Sequence, residues 1–245
     1  MDTFLPIITL FLAIIFEEVS GARLLYNYFW IGGVWNDLTD DHLRRIGSFC
    51  DEMEENMKKY HNLVGMNKIF RDRTSHVGVV NEKMAYEYGA TGAVLRGSGA
   101  KWDLRKNRTY GIYDKFDFDV PVGTGEMGTQ GDCWDRYYVR VREVFESIKI
   151  IRQALEGIEA GPIMGKVPKI IKPPKGEVYV RTECPRGELG YHLVSDGTAK
   201  PYRLKVKSSC FTHVSMLPEL GKGQMIADFV ATIGSIDIVL GEVDR

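Results

Sequence analysis

The chain is poorly equipped to hold a metal cluster by itself. Its 245 residues include four cysteines, Cys50, Cys133, Cys184 and Cys210, and no two of them form a C-x-x-C pair. Structural zinc and iron–sulfur centres draw their thiolates from such close pairs, so no bound metal is expected. No flavin motif is present either. Four scattered thiols in a chain this long also argue against a disulfide framework and for a reducing, cytoplasm-facing compartment. Charge of one sign is not in excess: the formal net charge is −1. A dedicated nucleic-acid binder would be more basic, so no nucleic-acid partner is expected. Nucleotide and hydrolase signatures are missing as well. There is no G-K-[ST] phosphate loop, no G-x-S-x-G and no H-E-x-x-H. His61, His76 and His192 have no recognisable triad partners, and His213 reads as a structural histidine.

No hydrophobic run reaches the ~20 residues that a membrane-spanning helix needs. The longest, Phe4 to Phe16 (FLPIITLFLAIIF), has 13 residues. No basic residue precedes it, as a signal peptide would require. Pro6 sits near its start, where a helix tolerates proline. A buried core helix, a membrane-surface anchor and an altered gene start all remain open for this segment.

What is present is enough apolar content for a sizeable core, 44% of residues, in patterns whose period changes along the chain. Asp41 to Leu63 carries Leu43, Ile46, Phe49, Cys50 and Met53 at helical spacing, with Thr39 or Asp40 available as N-cap. Val77 to Tyr88 reads as a short helix ending at Gly89, and the glycines of residues 91–99 suggest close backbone approach or unusual φ angles. Residues 117–131 read as a long loop. The clearest helix is Asp132 to Ile158, where Trp134, Tyr137, Val141, Val144, Ile148, Ile151, Leu155 and Ile158 recur in alternating steps of three and four. That stripe predicts a long helix packed against others. Residues 165–175, rich in Lys and Pro, read as an extended surface linker. The period then falls to two. Val178, Val180, Thr182 and Cys184 alternate with polar residues, Pro185-Arg186-Gly187 and Asp196-Gly197 mark turns, and Tyr202, Leu204 and Val206 alternate again. This predicts a three-stranded antiparallel meander. A last helix is predicted over about Lys222 to Ile233, with Gly234 as its C′ residue. The fold class is therefore α+β, mainly helical, with a small β meander. The organisation expected is an apolar N-terminus (1–16), a helical region (17–163), and a meander with C-terminal helix and tail (164–245).

Many uncommon words occur in a specific order. They include Ser20-Gly21-Ala22-Arg23, Ile31-Gly32-Gly33-Val34, Leu95-Arg96-Gly97-Ser98-Gly99, Trp102-Asp103-Leu104-Arg105 and Gly131-Asp132-Cys133-Trp134-Asp135-Arg136-Tyr137. Later come Pro185-Arg186-Gly187-Glu188, Leu193-Val194-Ser195-Asp196-Gly197, and the closing run from Gly234-Ser235-Ile236-Asp237 to Glu242-Val243-Asp244-Arg245. From about Glu17 to Arg245 the chain resembles the quinone-site subunit of respiratory complex I, in its bacterial and chloroplast forms. That protein is related by descent to the large subunit of nickel-iron hydrogenases. The resemblance covers the C-terminal half to two thirds of the family's full length, so the chain reads as N-terminally truncated. The family's quinone-headgroup His and Tyr lie upstream of anything present here.

The resemblance implies a hydrogenase-large-subunit-like fold. It further implies a subunit of a proton-translocating NAD(P)H (or ferredoxin):quinone oxidoreductase, contributing the C-terminal part of the quinone cavity. A non-catalytic remnant and a hydrogenase-related subunit without nickel are the alternatives. The ancestor's second C-x-x-C falls where this chain has Gly234-Ser235-Ile236-Asp237-Ile238, without the soft ligands nickel needs. Asp237, Val239 and Arg245 are the residues implied at the quinone cavity, with Arg245 offering a bidentate contact to Asp237 or to an acid of a partner. Quinone is implied as substrate, with a 4Fe–4S cluster on a partner subunit. Implied partners are other complex I subunits, chiefly the small 4Fe–4S subunit and the membrane-arm quinone-site subunit. The implied location is peripheral, on the cytoplasmic, stromal or matrix face of an energy-transducing membrane.

Overall fold

The structure, a computed structural model, describes the backbone of residues 4–244 and the side chains of residues 12–244. Eleven α-helices and two small antiparallel sheets occur among these residues. The chain is α+β and mainly helical, and it divides into two compact units.

One unit comprises residues 1–59 and 147–171. Helix α1 (Phe4–Ser20) runs past the apolar segment through Glu17 and Glu18, and of its described side chains Ile15 and Val19 are buried while Ile14 and Phe16 stay exposed. No helix among the described residues is long and apolar enough to cross a membrane. A hairpin of β1 (Phe29–Trp30) and β2 (Gly33–Val34) follows. A Cβ on Gly33 would lie 2.0 Å from the Ile163 carbonyl oxygen, which accepts the Val34 N–H at 3.0 Å. Helix α2 (Asp40–Tyr60) is capped by the Thr39 hydroxyl, which accepts the His42 N–H. Its Asp51 and Glu54 bind Arg152 at 2.7 and 2.8 Å.

The other unit comprises residues 60–146 and 172–245. Its core gathers Val80, Ala85, Val94, Leu95, Met216, Leu220 and Ile236. Caps set its short helices: the Asn67 amide oxygen accepts the Ile69 N–H at the start of α3 (Lys68–Thr74), and that of Asn81 accepts the Met84 N–H at the start of α4 (Glu82–Glu87). The helix expected from Val77 thus begins five residues later, because residues 77–81 are spent crossing to the Gly131 loop: the Val80 N–H donates to the Gly131 carbonyl and the Val77 carbonyl accepts from Cys133.

The glycine-rich stretch forms α5 (Gly92–Gly97), with all six residues buried. Its glycines serve close approach. A Cβ on Gly92, at φ +64°, would lie 2.5 Å from the Arg186 carbonyl oxygen, and one on Gly97 would lie 2.8 Å from Cγ of Arg136. The short α6 (Leu104–Asn107), capped by Asp103, follows.

Helix α7 (Cys133–Gly157) matches the expected long helix. Trp134, Val141 and Ile148 of its stripe are buried, whereas Ile158 lies beyond the helix end and is 47% exposed. Its first turn is the anchor of the unit. Asp132 accepts the N–H groups of Asp135, His76 and Thr129, and Asp135 accepts those of Gly125 and Gly131. Two buried carboxylates thereby fold residues 123–131 onto the start of α7. Burial pushes the Asp135 carboxyl up, and the backbone donors oppose it.

The meander forms as β3 (Gly176–Cys184), β4 (Gly187–Ser195) and β5 (Arg203–Lys207), in the register Val178↔Leu193↔Leu204. Helices α8 (Ser209–Val214), α9 (Leu217–Leu220), α10 (Ile226–Ser235) and α11 (Leu240–Val243) complete the chain. The last predicted helix begins late, because Lys222 to Gln224 form a turn, and it runs one residue past Gly234.

Candidate functional site

Three helices of the second unit enclose a cleft of about 580 Å³. Phe70, Arg73 and Thr74 come from the end of α3, and Cys133, Tyr137 and Arg140 from one face of α7. Ala231, Gly234 and Ser235 come from the C-terminal turn of α10, followed by Asp237. The spacing explains the lining: 133, 137 and 140 recur at steps of four and three, so they share a helix face.

Asp237 follows the end of α10 with φ +51°, a left-handed conformation that few non-glycine residues adopt and that Asp tolerates better than most. Arg186, in the turn between β3 and β4, holds it there. Its Nε donates to the Asp237 carbonyl oxygen at 3.0 Å and lies 3.4 Å from the carboxylate. The buried Cys210 adds a second tie, its Sγ accepting the Val239 N–H at 3.4 Å. Asp237 therefore borders the cleft. Val239 is 36% exposed and is not among the cleft's lining residues. Arg245 lies outside the described residues. Among them, the guanidinium that meets Asp237 belongs to Arg186.

Around this centre the polar groups are mostly committed. Arg73 pairs with Asp228 at 3.1 Å. Burial pushes the Tyr137 phenol up to about 12, so it stays protonated, and its oxygen lies 3.4 Å from Nδ1 of His61. Arg136 is fully buried and donates to the carbonyls of Gly131 and Gly78 and to the Ser235 hydroxyl. Arg140 donates to the carbonyls of Arg136 and Ser235. Arg140 thus satisfies a carbonyl at the C-terminal end of α10, and Arg136 ties the Ser235 side chain to the Gly78 and Gly131 backbone.

A second polar cluster lies within the same unit. Arg96 on α5 binds Glu143 of α7 at 2.5 Å and Glu183 of β3 at 2.8 Å, with Asp103 at 3.5 Å. Asp103 in turn binds Arg105 at 2.6 Å. Burial pushes the Glu183 carboxyl up. The same burial acts on Asp103, but the Arg105 and Arg96 guanidiniums outweigh it and hold its carboxyl down. This network ties α5, α7 and β3 together.

His213 is also structural in its surroundings. It is fully buried, with Nε2 3.1 Å from the Thr91 carbonyl oxygen. Desolvation lowers its pKa to about 4, so it is neutral. Among the described residues no group of three His, Cys, Asp or Glu side chains is placed to hold a metal ion, and the four cysteines are free thiols.

Sequence patterning assigns Tyr137 to the packing stripe, passes over Arg140, and marks Arg186 only as part of a turn. A signal for Arg140 exists in the sequence: Arg136 and Arg140 stand four apart, beside an apolar stripe where charge is costly. For Arg186 there is none, since its partner is 51 residues away.

The model of the 49 kDa subunit of respiratory-chain NADH dehydrogenase matches residues 11–175 and 166–245. The NADH-quinone oxidoreductase D subunit of Chlorobaculum tepidum is 49% identical over 233 residues, 94% of this chain and 58% of that protein. The corresponding D subunits of Bacillus mycoides and Geobacillus thermodenitrificans are 48% and 49% identical over 229 residues, 93% of this chain and 61% of theirs. The chain thus spans about three fifths of the length of these relatives. Identity near one half, sustained over nearly every residue of the chain, shows that it belongs to the family of the 49 kDa subunit of respiratory-chain NADH dehydrogenase.

Proposed function

We propose that this chain supplies the C-terminal part of the quinone-reduction cavity in a proton-translocating NAD(P)H (or ferredoxin):quinone oxidoreductase. The cleft of α3, α7 and α10 is the part of that cavity which this chain builds. The observation that carries this reading is the placement of Asp237. A carboxylate in a left-handed turn, fixed by Arg186, borders a cleft of about 580 Å³, within the 300–1,000 Å³ typical of small-molecule sites. The apolar lining of Phe70, Cys133 and Ala231 suits a ring, and Arg140 offers hydrogen bonds to its oxygens, whereas the Thr74 and Ser235 hydroxyls donate to the carbonyls of Phe70 and Thr232.

In this reading quinone is the substrate. The electrons come from a 4Fe–4S cluster on a small partner subunit, the donor binds on other subunits, and the membrane-arm quinone-site subunit completes the cavity. The subunit sits peripherally on the cytoplasmic, stromal or matrix face of the membrane. The hydrogenase-like ancestry fits a cavity that once held metal and now takes an organic ring, since no cysteine follows Ser235. Asp237→Asn in an assembled complex tests the proposal, with quinone-dependent turnover measured beside assembly and cluster reduction. Turnover should fall with cluster reduction intact. Unchanged turnover at normal assembly would leave the chain a scaffold that keeps the fold without the chemistry.

A further inference from the structure

We propose that Arg140 is the cleft's anion-holding residue: the unused edge of its guanidinium binds a quinone carbonyl oxygen and stabilises the negative charge that oxygen acquires on reduction. The proposal rests on reading the cleft as a quinone site.

The argument starts from how much of Arg140 the protein uses. A guanidinium carries five N–H donors. Nη1 donates to the carbonyls of Arg136 at 2.9 Å and Ser235 at 2.8 Å. Nε and Nη2 bond to nothing among the described residues, nor are they among the sealed buried atoms left without a partner. The side chain lines the cleft, so those donors open to it. The other charges nearby are paired: Arg73 with Asp228 and Asp237 with Arg186. No carboxylate among the described residues lies within ion-pairing distance of Arg140 or of Arg136, one helical turn behind it.

Two cations in succession with no carboxylate within 4 Å among the described residues are an expensive arrangement. Capping α10 does not require it, since capping Ser235 takes a single nitrogen. The carbonyl end of α10 offsets part of the charge and leaves the forked edge for a ligand. That edge supplies two parallel donors on a rigid plane, the geometry that suits an anionic oxygen. Burial also depresses the pKa of both guanidiniums, outweighing the acids that act the other way, Asp237 and Glu143 at Arg140 and Asp132 and Asp135 at Arg136.

The chemistry balances as follows. A quinone accepts one electron from the iron–sulfur cluster of the neighbouring subunit and becomes a semiquinone anion, its charge on the ring oxygens. A second electron from the same cluster, and two protons from solvent, complete the hydroquinone. Arg140 meets the charge at the first step. Its contacts strengthen as the charge forms, so the effect falls on turnover more than on ground-state binding.

The test uses the assembled complex with three variants, and reads assembly, cluster reduction by the donor, and kcat and KM for a water-soluble short-chain quinone. Gly234→Leu places a side chain into the cleft from a helical position where a Cβ meets no atom within 4 Å. Arg140→Gln removes the charge and the fork. Arg140→Lys keeps the charge and one donor to the helix end. Expected are a strong loss of turnover in Gly234→Leu, and a kcat loss of roughly a hundredfold in Arg140→Gln with KM changed far less. Arg140→Lys, which keeps the charge and loses the fork, should recover only part of that loss, with assembly and cluster reduction near wild type. Wild-type kcat in Arg140→Gln alongside a disabled Gly234→Leu would show that Arg140 only caps α10. Wild-type turnover in Gly234→Leu would remove the quinone reading of the cleft and this proposal with it. Should Arg140→Gln fail to assemble, Arg140→Lys decides: a kcat equal to wild type with KM unchanged overturns the forked contact.

Discussion

Arg186 holds Asp237 by both its backbone and its side chain, with Nε donating to the carbonyl oxygen at 3.0 Å and lying 3.4 Å from the carboxylate. The turn between β3 and β4 thereby reaches the tail after α10. It stabilises a φ of +51° that the chain would otherwise adopt rarely. The conformation separates two substitutions. Asp237→Asn keeps a residue that tolerates left-handed backbone and should leave stability within about 0.5 kcal/mol of wild type. Asp237→Ile forces a β-branched residue into that region and should cost about 1–2 kcal/mol. Denaturant unfolding of the two variants checks this, and equal stability would show that the turn relaxes.

Gly92 sets the other side of the same turn. At φ +64°, with a Cβ position 2.5 Å from the Arg186 carbonyl oxygen, Gly92→Ala should lower stability by about 1–3 kcal/mol. It should also lower quinone turnover through the displaced Arg186. Restored turnover without restored stability in a second-site variant would separate the two effects.

Arg96 is 2% exposed and serves three acids from three elements. Arg96→Met leaves Asp103 and Glu183 buried without their common counter-charge. The expected loss is about 3–5 kcal/mol, read as a lowered thermal midpoint or failed assembly. A midpoint within a degree or two of wild type would show that Arg105 suffices.

His213 makes stability depend on pH with a definite sign. Its pKa is lowered from 6.5 to about 4 by burial. As pH falls below 6.5 the unfolded chain takes the proton first, so folding stability declines progressively down to about pH 4. The full loss is roughly 3 kcal/mol. His213→Gln should flatten stability across that window, as measured by denaturant midpoints between pH 4 and 7. A slope equal to wild type would assign the dependence to other groups.

The elements legible in the sequence were those whose pattern is local and long. The period of α7 and the alternation of β3, β4 and β5 announce themselves over many residues, and the turns at Pro185-Arg186-Gly187 and Asp196-Gly197 close the meander where expected. Short helices were less legible. A helix such as α5 carries no amphipathic stripe because every residue is buried. Its glycines mark close approach in the sequence, but the residues they approach, Arg186 and Arg136, lie far along the chain.

The candidate site divides in the same way. By itself the sequence determined the family, through rare words in a preserved order, and singled out Asp237, which borders the cleft. Only the tertiary structure decided that Arg186 restrains Asp237, that Arg140 keeps a free edge on the cleft, and that Val239 turns to Cys210. The reason is physical. Residue type and spacing set which face a side chain occupies, while partnership between charges depends on which distant elements the core brings within about 4 Å of each other.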